Sequence, residues 1–224
     1  EIKIEHYASE LEGANVELEQ FAFAASHDLK QPLRGIDHLA NWIIDDAGDQ
    51  LPPQAMAHVT NLKKRVRRMH QLLDDLLEYA RAGTSNQNVV EIDTRQLIAD
   101  IIEFADVPAR FNISLVGEFP TLQTHGVPLA QVFRNLIGNA IKHCDSDPGQ
   151  ITISCQTTEG EPVFTVADNG PGIDPQFHQR IFGMFQKLRP NDKIDGSGMG
   201  LALVNKLVTK RGGQITLDSS KKAG

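Results

Sequence analysis

Ile4, Leu11, Leu18 and Ala25 recur every seven residues, and Tyr7, Ala14 and Phe21 follow the first three at a spacing of three. This is the a/d pattern of a coiled-coil seam. After Ala25 the apolar positions move to Leu29, Leu33, Ile36, Ala40 and Ile43, a shift to spacings of four that locally alters the supercoil. The helix is expected to stop near Asp49. Leu51-Pro52-Pro53 then opens a second helix, with Val59, Leu62, Val66, Met69, Leu73, Leu76 and Ala80 as its apolar stripe. Two helices cannot cover both stripes by themselves. The pattern therefore predicts a helical hairpin that pairs with a second copy into a four-helix bundle, a homodimer.

From Val89 onward short β-rich runs alternate with amphipathic helical ones. Val89 to Ile92 reads as a strand, and Asp93 with Gln96 three places on resembles a capping box for a helix reaching about Glu103. Strands are expected at Ile113 to Val116 and Thr121 to Thr124, then a helix from about Val127 to His143. Ile151 to Thr157 and Val163 to Ala167 alternate like a hairpin across Glu159-Gly160-Glu161. Asp174-Pro175 supplies a cap and an N1 proline for another helix. A last helix spans Met199 to Lys210, stopped by Gly212-Gly213, before a strand from Gln214 to Asp218. The fold class is an all-α hairpin over residues 1–85 followed by an α/β two-layer sandwich with a mixed sheet over 86–224. The small, polar stretch Ala82 to Asn88 is the expected linker.

Composition narrows the function classes. With 224 residues, 40% of them hydrophobic, both parts can bury a core. The formal net charge of -7 argues against broad nucleic-acid binding, which needs a basic face. Cys144 and Cys155 are too few for a disulfide framework and lack the paired spacing of a zinc site. The N-terminus is charged and no apolar run approaches the ~20 residues of a membrane span. A cytoplasmic fragment is expected, whose parent protein can still be membrane-associated.

Several residues carry candidate chemistry. His27 lies about 200° around the helix from both Ala25 and Leu29, so it projects away from the seam. An exposed histidine is by itself ordinary surface. Asp28 beside it is a carboxylate able to take the ring N–H, fix the tautomer and leave the other nitrogen nucleophilic. Pro32 removes the hydrogen bond to the Asp28 carbonyl and is expected to bend the helix. In QVFRNLIGNAIKH, Asn135 and Asn139 share a helix face on which amide oxygens suit a hard cation bridging phosphates, and Lys142 adds positive charge. In FTVADNGPGI, Asp168 extends the apolar face of Phe164 and Val166, so a partly buried carboxylate needs a donor. An adenine amine is one, and Gly170 and Gly172 admit a close backbone approach. An ordinary Asp-Asn-Gly turn accounts for the same residues. DGSGMGLALVNKLV sets Gly196, Gly198 and Gly200 at a helix start, where free N–H groups favour phosphate. The polar run Gln186 to Asp195 is expected to form a mobile lid, with Phe182 and Phe185 as its anchors or as core.

Phe21 to Arg34, reading FAFAASHDLKQPLR, resembles the phosphoacceptor box of sensor histidine kinases, especially the phytochrome-like group. In their order, the later segments resemble the N, G1, F and G2 boxes of the ATP domain of that family, a relative of gyrase-type ATPases. The resemblance runs from about Ala14 to Asp218. It implies that His27 is autophosphorylated with Asp28 as general base. It implies ATP and Mg2+ as cofactors, with Asn139 and Asn135 holding the metal, Lys142 the phosphates and Asp168 the adenine. Gly170, Gly172, Ile173, Phe185, Gly196, Ser197, Gly198, Met199, Gly200 and Leu201 would line the pocket. His143 stands where the family often has Phe or Tyr against the nucleotide. Gln31 stands where relatives that dephosphorylate their regulator have Thr or Asn.

The implied function is an ATP-dependent protein-histidine kinase that transfers its phosphoryl group to the receiver domain of a response regulator, with a sensor domain preceding this chain. A dimeric scaffold without kinase activity and a net phosphatase are the alternatives. Lys63, Lys64, Arg65, Arg67 and Arg68 surround Val66. A turn at Asp49 would bring them level with Lys30 to Gly35, either as a regulator-docking surface or as a solvated face paired with Asp28 and Asp37.

Overall fold

The computed structural model describes residues 2–82, 88–187 and 196–219, with 2–12, 14–16, 18 and 21 followed by backbone alone. The chain divides into two compact units, residues 1–81 with 195–197 and residues 82–194 with 198–224. In the first, α1 (Ile2–Ala47) continues through Pro32 as one helix. The side chains of all six expected heptad positions before Ala25 lie outside the described residues. A 3-10 turn, Gly48–Gln50, leads through Leu51-Pro52 into α2 (Pro53–Arg81), which starts on a residue with no N–H to satisfy. Leu33, Ala40 and Val66 are buried. Leu29, Ile36, Ile43, Leu62 and Met69 belong to the same stripes yet stay 38% to 52% exposed on the single chain. The hairpin thus covers only part of its apolar surface.

Three side-chain contacts set the register of the hairpin. Arg81 lies over the Phe23 ring, Lys30 binds Asp74, and Lys63 binds Asn41. The steps along the two helices are equal and opposite, so His27 lies opposite Leu77 and Asp37 opposite Arg67. This corrects the expected level of the basic run. The 3-10 turn and Leu51-Pro52 move the midpoint of the hairpin to Pro52, which puts Lys63 to Arg68 opposite Ile36 to Asn41 and not opposite Lys30 to Gly35. At 1.5 Å per residue, Asp37 stands about 15 Å along the axis from His27.

In the second unit β1 (Val90–Asp93) pairs antiparallel with β3 (Thr121–Thr124). Asp93 accepts the Gln96 N–H at 3.0 Å and caps α3 (Thr94–Phe104). Only this half of the capping box forms, because the Gln96 side chain turns forward to Asp100 Oδ1 at 2.7 Å. The larger sheet has the order β2 (Phe111–Gly117), β4 (Gly149–Thr158), β5 (Glu161–Asp168). β2 runs parallel to β4, and β4 antiparallel to β5, so the sheet is mixed. Glu159 and Gly160 both adopt positive φ in the tight turn between β4 and β5. Alternation along β4 buries Ile151 and Ile153 against Ile98 of α3 and Phe133 and Ile137 of α4 (Gly126–His143). Full burial of such side chains contributes about 1.5–3 kcal/mol each. The Phe133 and Phe164 rings meet edge to face at 5.3 Å. α5 (Gly200–Thr209) packs on α4. Cys144 and Cys155 are both buried, and burial pushes the Cys155 thiol pKa up, as suits a small core residue.

Two sequence expectations need correction. Asp174 does cap Gln176 N at 3.1 Å, but the chain then makes two 3-10 turns, Pro175–Phe177 and Arg180–Phe182, and no α-helix. Gly183 comes too soon for a helix to propagate. Gln214 to Asp218 keeps its alternation, with Ile215 and Leu217 half-buried, but forms no strand because no described strand pairs with it. The core of the expected linker (83–87) and most of the expected lid (188–195) lie outside the described residues.

Candidate functional site

The first candidate centre lies on α1. The His27 side chain is 66% exposed and its Nδ1 lies 3.2 Å from Asp28 Oδ1. A carboxylate can only accept, so Nδ1 is the donor in this contact and Nε2 makes no hydrogen bond among the described residues. The helix fixes both Cα positions, and neither side chain is spent on packing. Gln31 and Pro32 are exposed one turn further on.

The second centre is built around α4. Its helical spacing sets Asn135 and Asn139 on one face, and the first residue of α5 meets them there. A Cβ at Gly200 would stand 2.7 Å from Asn135 Oδ1 and 3.8 Å from Asn139 Nδ2. Asn135 Nδ2 donates back to the Gln131 carbonyl at 3.0 Å, which ties its amide down. The Asn139 amide makes no hydrogen bond among the described residues and is half-buried. Its oxygen suits a hard cation, although the Asn139 atom nearest Gly200 is Nδ2. Lys142 and His143 are exposed on the last turn.

The N-cap residue of α5, Met199, makes no side-chain cap bond, so no cap side chain at that position occupies the first-turn N–H groups. Met199 before it is 1% exposed and Leu201 half-buried. Gly196 is half-buried and Ser197 buried, but both group with the hairpin unit and not with α4 and α5. Gly198 has φ +76°, and a Cβ there would lie 2.6 Å from the Gln186 carbonyl oxygen. Only glycine fits such a place, and it locks the start of α5 onto the segment holding Phe185. Phe185 is itself at φ 60° and 53% exposed, so it is not a core anchor. Phe182 is half-buried.

At the other end of α4, Asp168 lies on the inward face of β5 with Phe164 and Val166, as alternation predicts. Its Oδ1 accepts the Gly170 N–H at 2.8 Å. The half-buried carboxylate therefore already has one donor within the chain, which modifies the sequence argument. Oδ2 accepts nothing among the described residues. A Cβ on Gly170 would stand 2.5 Å from Asp168 Oδ1, 3.2 Å from Cys144 Cα and 3.6 Å from the His143 carbonyl oxygen. Gly172 adopts φ 67°, and Ile173 N donates to Ser219 Oγ at 2.9 Å. Asp168 with Gly170 and Asn135 with Gly200 are thus brought into two contacts along α4, while Gly198 ties the start of α5 to the segment of Phe185 and Gln186.

Sequence reasoning passes over three residues here. Asn169 bonds to Gln150, Pro148 and Cys144. His178 Nε2 donates to the Ile173 carbonyl at 3.0 Å. Ser219 reaches the same residue. Only the Asp-Asn-Gly sequence gives any sign of the first, and it signals a turn, not its distant partners. A 380 Å3 groove between α3 and α4, lined by Leu97, Ile101, Phe104 and Ile141, holds none of these residues.

Comparison with known proteins covers most of the chain. The family described as His Kinase A (phospho-acceptor) domain matches residues 17–85. The family described as Histidine kinase-, DNA gyrase B-, and HSP90-like ATPase matches residues 124–224. Phytochrome-like protein Cph1 of Synechocystis sp. is 35% identical over 97% of this chain and 29% of its own length. Cyanobacterial phytochrome A of Nostoc sp. is 35% identical over 95% of this chain and 28% of its own length. The chain thus spans under a third of these relatives. The crystal structure of full-length ShkA in complex with AMPPNP matches 89% of this chain and 44% of that one, with a TM-score of 0.64 and 25% identity.

Proposed function

This chain belongs to the sensor histidine kinases of two-component systems, and on that premise we propose that it phosphorylates His27 from ATP and passes the phosphoryl group to an aspartate of a response regulator. The observation that carries the reading is the exposed His27 imidazole with Asp28 at its Nδ1. In the reaction Nε2 forms the new N–P bond to the γ-phosphorus while the bond from that phosphorus to the β–γ bridging oxygen breaks. ADP leaves with the bond's electron pair. Asp28 draws on the Nδ1 proton as positive charge develops on the ring.

The contacts along α4 suit a nucleotide. Asp168 and Gly170 would receive the base beside His143, and the uncapped start of α5 would receive phosphates beside Asn135 and Asn139. Asn135 and His143 are separated by about 12 Å along the helix, the reach of a base linked to a triphosphate. Asn139, supported by Asn135, would hold Mg2+, which when bound neutralises phosphate charge; Lys142 would serve the phosphates directly. Ile173, Phe185, Ser197, Met199 and Leu201 would complete the walls. The exposed stripe Leu29, Ile36, Ile43, Leu62 and Met69 would be covered by the hairpin of a second copy. No described helix is long and apolar enough to cross a membrane.

Incubation with labelled ATP and Mg2+ tests the reading. An acid-labile phosphoprotein is expected. Nucleotide binding without label would favour a net phosphatase, and no nucleotide binding a scaffold.

A further inference from the structure

Asn169 sits between the two residues that would shape the adenine end of the pocket, Asp168 and Gly170, and its side chain points to neither. Its Oδ1 accepts the Gln150 N–H at 2.7 Å and the Cys144 thiol at 3.2 Å, and its Nδ2 donates to the Pro148 carbonyl at 3.1 Å. Its backbone is engaged as well. Its N–H donates to the Gln150 carbonyl at 3.1 Å, and its carbonyl accepts Ser146 Oγ at 2.6 Å. All five bonds go to four residues of the segment 144–150, Cys144, Ser146, Pro148 and Gln150, which joins the end of α4 to β4. From the other side Arg110 holds the same segment through the Cys144 and Ser146 carbonyls.

The consequence is geometric. Asp168 Oδ1 and Gly170 N close a small turn around Asn169. If that turn moves, Asp168 moves with it, while His143 and Cys144 stay with α4. Asn169 is the only member of the turn whose side chain reaches across to the α4 end. An amide suits the place because it accepts twice and donates once; a carboxylate lacks the donor for Pro148 and an apolar side chain lacks everything.

We infer that Asn169 is a positioning residue for base recognition: it fixes the Asp168 carboxylate relative to the C-terminus of α4, so that the pocket prefers a purine with an exocyclic 6-amino group over one with a 6-carbonyl. This rests on Asp168 reading adenine, as proposed above. A purely structural role for Asn169 would weaken all nucleotides alike, whereas a positioning role weakens the one whose amino group Asp168 meets.

The experiment titrates ADP and inosine diphosphate, each with Mg2+, into the wild-type chain and Asn169→Ala by calorimetry. Wild type is expected to prefer ADP. In Asn169→Ala the ADP affinity should fall about tenfold and the inosine diphosphate affinity less than about twofold, so that most of the preference disappears. If Asn169→Ala does not fold, Asn169→Asp keeps both acceptor contacts and should lose roughly threefold of the preference. An unchanged preference ratio in the folded variant, whether both affinities fall or neither does, overturns the inference. Equal affinities in the wild type would instead remove adenine reading by Asp168, and with it this role for Asn169.

Discussion

Gly200 meets Asn135 so closely that the smallest side-chain carbon would stand 2.7 Å from the Asn135 amide oxygen. The start of α5 is thereby held against the face of α4 that carries both asparagines, the arrangement on which the proposed phosphate and Mg2+ sites rest.

Gly200→Ala tests that contact. The added methyl must displace the Asn135 amide, an overpacking that costs about 1–3 kcal/mol. Thermal unfolding should show a drop of a few degrees, and the Mg2+-dependent part of ADP affinity should fall about tenfold. Nucleotide affinity equal to wild type would separate Gly200 and Asn135 from the phosphates.

Asp168→Asn should change which base is bound more than it changes the fold. The new amide oxygen can still accept from Gly170 N, but its NH2 group then faces the adenine amine, donor against donor. ADP affinity is expected to fall about 10- to 100-fold while inosine diphosphate, which offers a carbonyl, is spared. Equal losses for both nucleotides would argue that Asp168 does not read the base.

Arg67→Glu with Arg68→Glu addresses transfer to the regulator. Both residues are exposed on α2, and Arg67 lies opposite Asp37, about 15 Å along the hairpin from His27. Rim charges act chiefly on association rate and its salt dependence. Phosphoryl delivery by pre-phosphorylated kinase should slow about three- to tenfold at low salt and much less at high salt, with autophosphorylation retained. Equal rates at both salts would leave the run as a solvated face.

Much of the fold can be read from local signals, and the exceptions share a physical cause. The hairpin, the Asp93 cap and the Glu159-Gly160 turn each depend on neighbours within a few residues. The level of the basic run depends instead on how the chain turns between Ala47 and Pro53, where a 3-10 turn and two prolines shift the midpoint. Asp174-Pro175 signals a helix that does not form, because a cap specifies a start and not its propagation. Gln214 to Asp218 alternates like a strand, yet a strand exists only with a ladder partner. At the candidate site, helical spacing alone puts Asn135 beside Asn139, and strand alternation puts Asp168 with Phe164. The bonds of Asn169 to residues some twenty positions earlier, and the seating of Gly200 on Asn135, are tertiary and leave no local trace.

The most direct measurement is phosphosite mapping after reaction with γ-labelled ATP and Mg2+, comparing wild type with His27→Gln. His27 is exposed and makes no core contact, so the variant should fold and bind ADP within about twofold of wild type. Wild type should carry a single acid-labile phosphoryl group on His27, and His27→Gln none. Label persisting in His27→Gln, or an acid-stable phosphoester at another residue of the wild type, would contradict the assignment of His27 as the phosphoacceptor.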